Sequence, residues 1–178
     1  MSPVSRSEEL KQYVRNVPGY PQPGIVFRDI TPLLADKAVF REVVDMMSRS
    51  WIDRRPDVVA AIEARGFIPG AAIAVKLDAG FVPIRKTGKL PWKTIGEAYQ
   101  LEYGTDELQV HSDAVEPGQK VLIVDDVLAT GGTAAAAVRL IRKLGGEVVG
   151  VQVLIELQDL GGRKRLPDVE VISEIVYQ

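Results

Sequence analysis

Apolar residues along the chain fall into short runs with two different periods. Val58–Ile62, Phe81–Ile84, Val121–Val124 and Val148–Leu154 are compact stretches rich in β-branched residues, and they predict strands. Phe40, Val43, Val44, Met47 and Trp51 instead recur at helical spacing behind Asp36, whose side chain suits a helix N-cap, and this helix should end near Arg54 and Pro56. Ala71–Leu77 and Thr133–Leu144 read as further helices. Ser7, Glu8, Glu9 and Leu10, followed by Val14 and Val17, read as a capped amphipathic helix that stops before Pro18, with a loop-rich stretch from Gly19 to Pro32. Strands alternating with helices predict an α/β fold with a central, mostly parallel sheet flanked by helices. Ligands of such sheets bind beyond the carboxyl ends of the strands, which directs attention to the turns after Ile62, Val124 and Leu154.

The turn after Val124 carries the most informative chemistry. Val121-Leu122-Ile123-Val124 is continuously apolar, as a strand covered on both faces must be, and it runs directly into Asp125 and Asp126. Val127-Leu128-Ala129-Thr130-Gly131-Gly132-Thr133 follows, and the helix predicted from Thr133 ends at Gly145-Gly146. Backbone N–H groups at Ala129, Gly131 and Gly132, the hydroxyls of Thr130 and Thr133, and the positive end of the helix dipole all suit one phosphate. Two adjacent carboxylates accept hydrogen bonds from a vicinal diol, so phosphate beside diol points to ribose 5-phosphate. No G-x-x-x-x-G-K-[ST] occurs, Gly88-Lys89 being followed by Leu90, and no G-x-G-x-x-G follows a strand. A helix-capping role for the two aspartates is the plainer alternative.

Composition narrows the function classes. The chain has 178 residues, 46% of them hydrophobic, enough for one core of good size. With 22 basic and 24 acidic residues the net charge is -2, which does not suggest a nucleic-acid or membrane coat. There is no cysteine, no clustered His/Cys metal set, and no apolar run near the ~20 residues of a membrane helix. Met1–Arg15 is too polar for a signal peptide, so a cytoplasmic protein is expected. Against this mild acidity, the stretch from Arg85 to Lys93 holds four cations and no acid, together with Gly88 and Pro91. Such a segment can close over a polyanion, with Arg85, Lys86 and Lys89 as its ligands, or be an ordinary solvated hairpin.

Three other segments add candidates. Arg65, in Glu63-Ala64-Arg65-Gly66, emerges at the same sheet edge as Asp125, either toward the same anion or as a structural ion-pair partner. Phe27, in Val26-Phe27-Arg28, is an aromatic in an apparent loop, either a clamp for a flat ligand or a core staple. Glu102 is a carboxyl able to exchange a proton with a heterocyclic base, or a strand residue paired with a loop lysine. His111, the only histidine, lies in a polar segment and receives no role.

Val121–Thr133 resembles the signature of the type I phosphoribosyltransferases, which bind phosphoribosyl pyrophosphate at this turn. Gly24–Ile30, Glu63–Phe67, Arg85–Pro91 and Tyr99–Gly104 stand in the order found in the adenine-specific branch of that family, so that the resemblance covers most of Gly19–Leu157. It implies transfer of a phosphoribosyl group to adenine, giving AMP and pyrophosphate. It further implies a single domain over residues 1–178 with a small N-terminal hood (about 1–34), a flexible catalytic loop (about 85–103) and a homodimer. Mg²⁺ would be carried by the substrate, reaching Asp125 and Asp126 through water. It also implies Phe27 stacking on the purine, Val26 offering its backbone to the purine edge, Leu157 covering the other face, Arg28 positioning the loop or base, and a cis peptide between Glu63 and Ala64. Another base, such as hypoxanthine, guanine or xanthine, is the closest rival. A non-catalytic regulatory module is a more distant one, since the chain has no spare length for a DNA-reading domain.

Overall fold

A computed structural model describes residues 6–100 and 105–178. Its centre is a seven-stranded sheet of β3 (Val58–Ile62), β4 (Gly80–Lys86), β5 (Thr94–Gln100), β6 (Thr105–His111), β7 (Lys120–Leu128), β8 (Glu147–Leu157) and β9 (Val171–Tyr177), in the order β5-β6-β4-β3-β7-β8-β9. The β4-β3-β7-β8-β9 part is parallel, while β6 pairs antiparallel with both β4 and β5. Helices α4 (Phe67–Leu77) and α5 (Gly132–Lys143) connect parallel strands. Side chains of β7 serve two cores: Val121 and Ile123 pack with Ala134–Ala137 of α5, whereas Leu122 and Val124 pack with Ile73 of α4 and with α3 (Lys37–Arg49). That double burial is why the strand carries no polar alternation before its last residues.

Asp36 caps α3 as its position predicts, accepting hydrogen bonds from the N–H groups of Ala38 and Val39. Trp51, just past α3, is fully buried, and its Nε1 donates to Gln152 Oε1 at 2.7 Å, while Gln152 Nε2 donates to Glu174 Oε1 at 3.0 Å. Trp51→Phe keeps an aromatic side chain but removes the pyrrole half of the indole with its N–H, so the buried Gln152 acceptor loses its donor and some packing is lost. It should lower unfolding stability by about 1–3 kcal/mol, read by urea denaturation, and an unchanged midpoint would show that the bond contributes nothing.

Two sequence expectations are corrected here. The first helix is short, α1 spanning Arg6–Leu10 with a 3-10 turn at Lys11–Tyr13, and Val17 lies on strand β1 (Arg15–Pro18). β1 pairs antiparallel with β2 (Val26–Asp29), so Phe27 is on a strand rather than in a loop. Ladder bonds from a segment ten residues downstream override a helical periodicity that had only Val14 and Val17 to continue it. Within the loop expected at about 85–103, Arg85 and Lys86 end β4 and Thr94–Gln100 form β5. The short helix α2 (Thr31–Ala35), with buried Leu33, then links β2 to α3.

Candidate active site

Strand β7 extends to Leu128, beyond the predicted end at Val124, because β8 continues to pair with it through Leu128 and Glu156. Asp125 and Asp126 therefore sit within the ladder rather than on a free tip. The Asp126 N–H donates to Asp125 Oδ1 at 2.9 Å. Burial, and then the adjacent Asp126 charge, push the Asp125 carboxyl well above the usual aspartate range. Asp126 is 5% exposed, and its Oδ2 lies 2.5 Å from Arg65 Nε without receiving a hydrogen bond. The Arg65 guanidinium is thus its ion-pair partner, though aligned too poorly for a hydrogen bond, and the oxygen keeps accepting capacity for a ligand.

Beyond β7, Ala129 and Thr130 lead to Gly131 at φ +79°, a left-handed conformation that favours glycine, and α5 begins at Gly132. No side chain caps this helix, so the N–H groups of its first turn face the cleft without an internal partner. Thr133 lines a cavity of about 580 Å³ together with Ala129, Asp125, Asp126, Arg65, Glu63, Ala64, Lys86 and Tyr99. Of the predicted phosphate turn, Ala129 and Thr133 thus share this space with both aspartates, while Gly132 lines a neighbouring cavity with Tyr99 and Arg165.

The peptide between Glu63 and Ala64 is cis, as the family resemblance implies. The Glu63 carboxylate receives Arg85 through Nε at 3.2 Å and NH2 at 3.0 Å, and the Lys86 N–H at 3.0 Å. The Arg85 guanidinium beside it, followed by the Lys86 N–H, holds the Glu63 carboxyl below its ordinary range. Arg85 also donates to the Lys89 carbonyl at 2.8 Å, so its guanidinium is committed to the β3–β4 junction and does not line the cavity. Lys89 is exposed and likewise outside the lining. Lys86 does face the cavity. Its ammonium lies 3.1 Å from Asp106 Oδ2, and that contact raises its pKa further. Tyr99, 7% exposed, donates to the same Asp106 oxygen at 3.2 Å. Glu102 and Tyr103 lie outside the described residues.

Strand β2 splits the candidates Val26, Phe27 and Arg28 between two faces, as strand alternation requires. Phe27 lies under the Arg65 guanidinium at 4.5 Å and meets Tyr20 edge-on at 5.2 Å. Val26, Arg28 and Leu157 instead line a second cavity of about 500 Å³ with Pro23, Leu160 and Tyr177. Arg28 stacks on Tyr177 at 3.9 Å and donates to Asn16. The Gly19 N–H bonds the Ile25 carbonyl at 2.7 Å, which makes Val17 and Phe27, two positions on, the next hydrogen-bonded pair. The backbone groups of Val26 and Arg28 consequently point away from β1, and Pro18, opposite Val26, has no N–H to give. Asp106 and Tyr177 carried no sequence signal, because their roles depend on which strands become neighbours, and Tyr99 stood out only as the first residue of the segment Tyr99–Gly104.

A family model described as the phosphoribosyl transferase domain matches residues 30–177. The chain is 60% identical over 169 residues to the adenine phosphoribosyltransferase of Thermotoga maritima, covering 95% of this chain and 98% of that protein. Among solved structures it is similar to the adenine phosphoribosyltransferase of Rhodothermus marinus, with TM-score 0.93, 52% identity, and coverage of 96% and 98% of the two chains. The Saccharomyces cerevisiae enzyme complexed with an imino-altritol bisphosphate and adenine is similar at TM-score 0.89 and 34% identity, with coverage of 95% and 98%.

Proposed function

Because the chain belongs to the phosphoribosyltransferase family, we propose that this cleft is where its reaction takes place: transfer of the 5-phosphoribosyl group of phosphoribosyl pyrophosphate to adenine, forming AMP and pyrophosphate in purine salvage. The observation that carries the placement is the meeting, in one cavity, of Thr133 at the uncapped α5 N-terminus with Asp125 and the Arg65-paired Asp126 carboxylate. In this reading the turn Ala129–Thr133 holds the 5-phosphate, and Asp125 and Asp126 accept from the ribose diol. Arg65 and Lys86 meet the pyrophosphate. The C1–oxygen bond to pyrophosphate breaks as the C1–N9 bond to adenine forms, and the N9 proton passes to a carboxylate, for which Glu102 is our candidate. Arg85 acts through Glu63, which it fixes together with the Lys86 backbone. Lys89 is free to approach the leaving group.

Mg²⁺ fits this donor set. Asp126 offers a carboxylate oxygen that is paired with Arg65 but accepts no hydrogen bond, and two carboxylates are too few to hold the ion alone; among the described residues no group of three or more His, Cys, Asp or Glu is placed to do so. Asp125 and Asp126 would hold it through water while pyrophosphate and ribose oxygens complete its shell. Once bound, it would neutralise charge on the departing pyrophosphate.

For the base, the outward backbone edge of Val26 and Arg28 supports recognition of the adenine edge, with Leu157 as an apolar cover and Phe27 as the stacking ring once Arg65 turns to its anion. The segment through residue 34 would form the hood. A homodimer is supported by Ile68, Val75 and Phe81, exposed apolar residues on α4 and β4. Among the described residues no helix is long and apolar enough to cross a membrane.

The decisive assay gives the protein phosphoribosyl pyrophosphate and Mg²⁺ with each base in turn. Adenine should be consumed at least about tenfold faster than hypoxanthine or guanine, because a 6-oxo group reverses the donor at the edge that the backbone reads. Equal turnover of a 6-oxopurine would sink the adenine assignment.

A further inference from the structure

The phosphate turn does not stand by itself. Behind it lies a segment of two 3-10 turns, Gln158–Leu160 and Gly162–Arg165, joined at Gly161. Gly162 is buried against the turn backbone to backbone. A methyl group added there would come within 2.4 Å of the Ala129 carbonyl and 3.1 Å of the Gly131 N, and one added at Gly131 would come within 2.3 Å of the Gly162 carbonyl. Such contact leaves no room for either segment to move without the other.

Arg163, the next residue, ties this segment to the sheet. Its Nε and NH2 each donate to Glu156 at 2.7 Å, NH1 donates to the Val171 carbonyl at 2.6 Å, and NH2 reaches Ser173 Oγ at 3.0 Å. Ser173 in turn donates to Glu156 Oε2 at 2.6 Å. Glu156 is 4% exposed, and the Arg163 guanidinium holds its carboxyl below the usual range, so the pair is charged on both sides. The Glu156 carboxylate is buried while the Arg163 side chain is about half exposed (48%), and the two-pronged geometry makes the pair directional. The same segment contributes Asp159 and Leu160 to the apolar cavity that Val26 and Leu157 line.

We propose that Arg163 and Glu156 are positioning residues for the reaction: by clamping the strap from Gln158 to Arg165, they hold Gly162 against Gly131 and so set the backbone N–H groups that receive the 5-phosphate. The proposal rests on the reading of Ala129–Thr133 as the 5-phosphate turn. It places the clamp behind that turn, away from the pyrophosphate groups Arg65 and Lys86. Loss of the clamp should therefore act on ligands that carry the 5-phosphate and spare pyrophosphate.

Calorimetric titration of the full chain with AMP, ribose 5-phosphate and Mg²⁺-pyrophosphate tests this. Arg163→Met and Gly162→Ala should each weaken AMP and ribose 5-phosphate by about tenfold or more, since sub-ångström misplacement of donors is costly, and should leave pyrophosphate within about twofold. Arg163→Lys, which keeps one contact to Glu156, should recover part of the loss. Gly162→Ala pushes directly on the turn and tests the contact itself, so Arg163→Lys, the milder change, carries the test of the clamp if Arg163→Met fails to fold. Folded variants that bind AMP as the unmodified protein does, or that lose all three ligands equally, overturn the proposal. Failure of the unmodified protein to bind ribose 5-phosphate would instead overturn the reading of the turn itself, and with it this inference.

Discussion

Replacing Glu102 by Gln is expected to lower kcat by about 10²- to 10⁴-fold while changing the Michaelis constants little, the range typical of a general acid or base. Gln keeps the size and hydrogen-bonding capacity of the side chain and loses only its ability to take a proton. The entering base must shed its N9 proton as the bond to C1 forms, and the described part of the cleft offers few rivals for that proton. Asp125 and Asp126 are assigned to the diol, and Glu63 is neutralised by Arg85. The control is Lys86→Ala, which removes a cation from the cavity wall. Asp106 raises the Lys86 pKa above the usual lysine value, so this residue stays charged through neutral pH and its loss should slow turnover without reshaping the pH profile there. Wild-type turnover and pH dependence in Glu102→Gln would reduce Glu102 to a structural carboxylate and shift the protein's catalytic contribution to its cations.

Asp125→Asn should move binding and stability in opposite directions. In the ligand-free protein, burial and the neighbouring Asp126 hold the Asp125 carboxyl well above its ordinary range. A carboxyl whose folded pKa lies above its unfolded value favours the fold most when protonated. Its contribution is complete below the unfolded pKa and is lost as pH rises through the folded one. At neutral pH its ionisation therefore works against the fold. Asparagine removes that penalty, and the melting temperature without ligand should rise by about 2–4 °C for each kcal/mol relieved, with a flatter dependence on pH. Affinity for phosphoribosyl pyrophosphate should meanwhile fall by about 10- to 100-fold, because a hydrogen bond to a charged acceptor is worth roughly 1.5–3 kcal/mol. Differential scanning calorimetry across pH and titration with the substrate read the two effects separately. Loss of both stability and binding would mean that Asp125 serves the fold rather than the ligand.

The opposite signs belong together. A carboxylate that the fold itself would prefer neutral is retained at the end of a buried strand, one residue before a second buried carboxylate that is ion-paired with Arg65. Functional sites are where such local conflict is tolerated.

Much of this was written in the order of residues. β3 matches the apolar run Val58–Ile62, the Asp36 cap sits where its helical pattern begins, and Val121–Thr133 announces a strand, a turn and a helix N-terminus by composition alone. These features are local: burial on both faces dictates a continuous apolar run, and a left-handed turn favours glycine. What only the tertiary structure decided are the pairings between distant segments. Arg15–Pro18 became a strand because Val26–Asp29 supplies its ladder, and Thr94–Gln100, with no continuous apolar run, became one because Thr105–His111 lies beside it. In the same way Arg85 met Glu63, Lys86 met Asp106, and Gly162 met Gly131, each across a separation that no periodicity encodes. Charge and residue type state what a side chain is able to do; which partner comes within three ångströms is set by the sheet order, and that is a property of the whole chain.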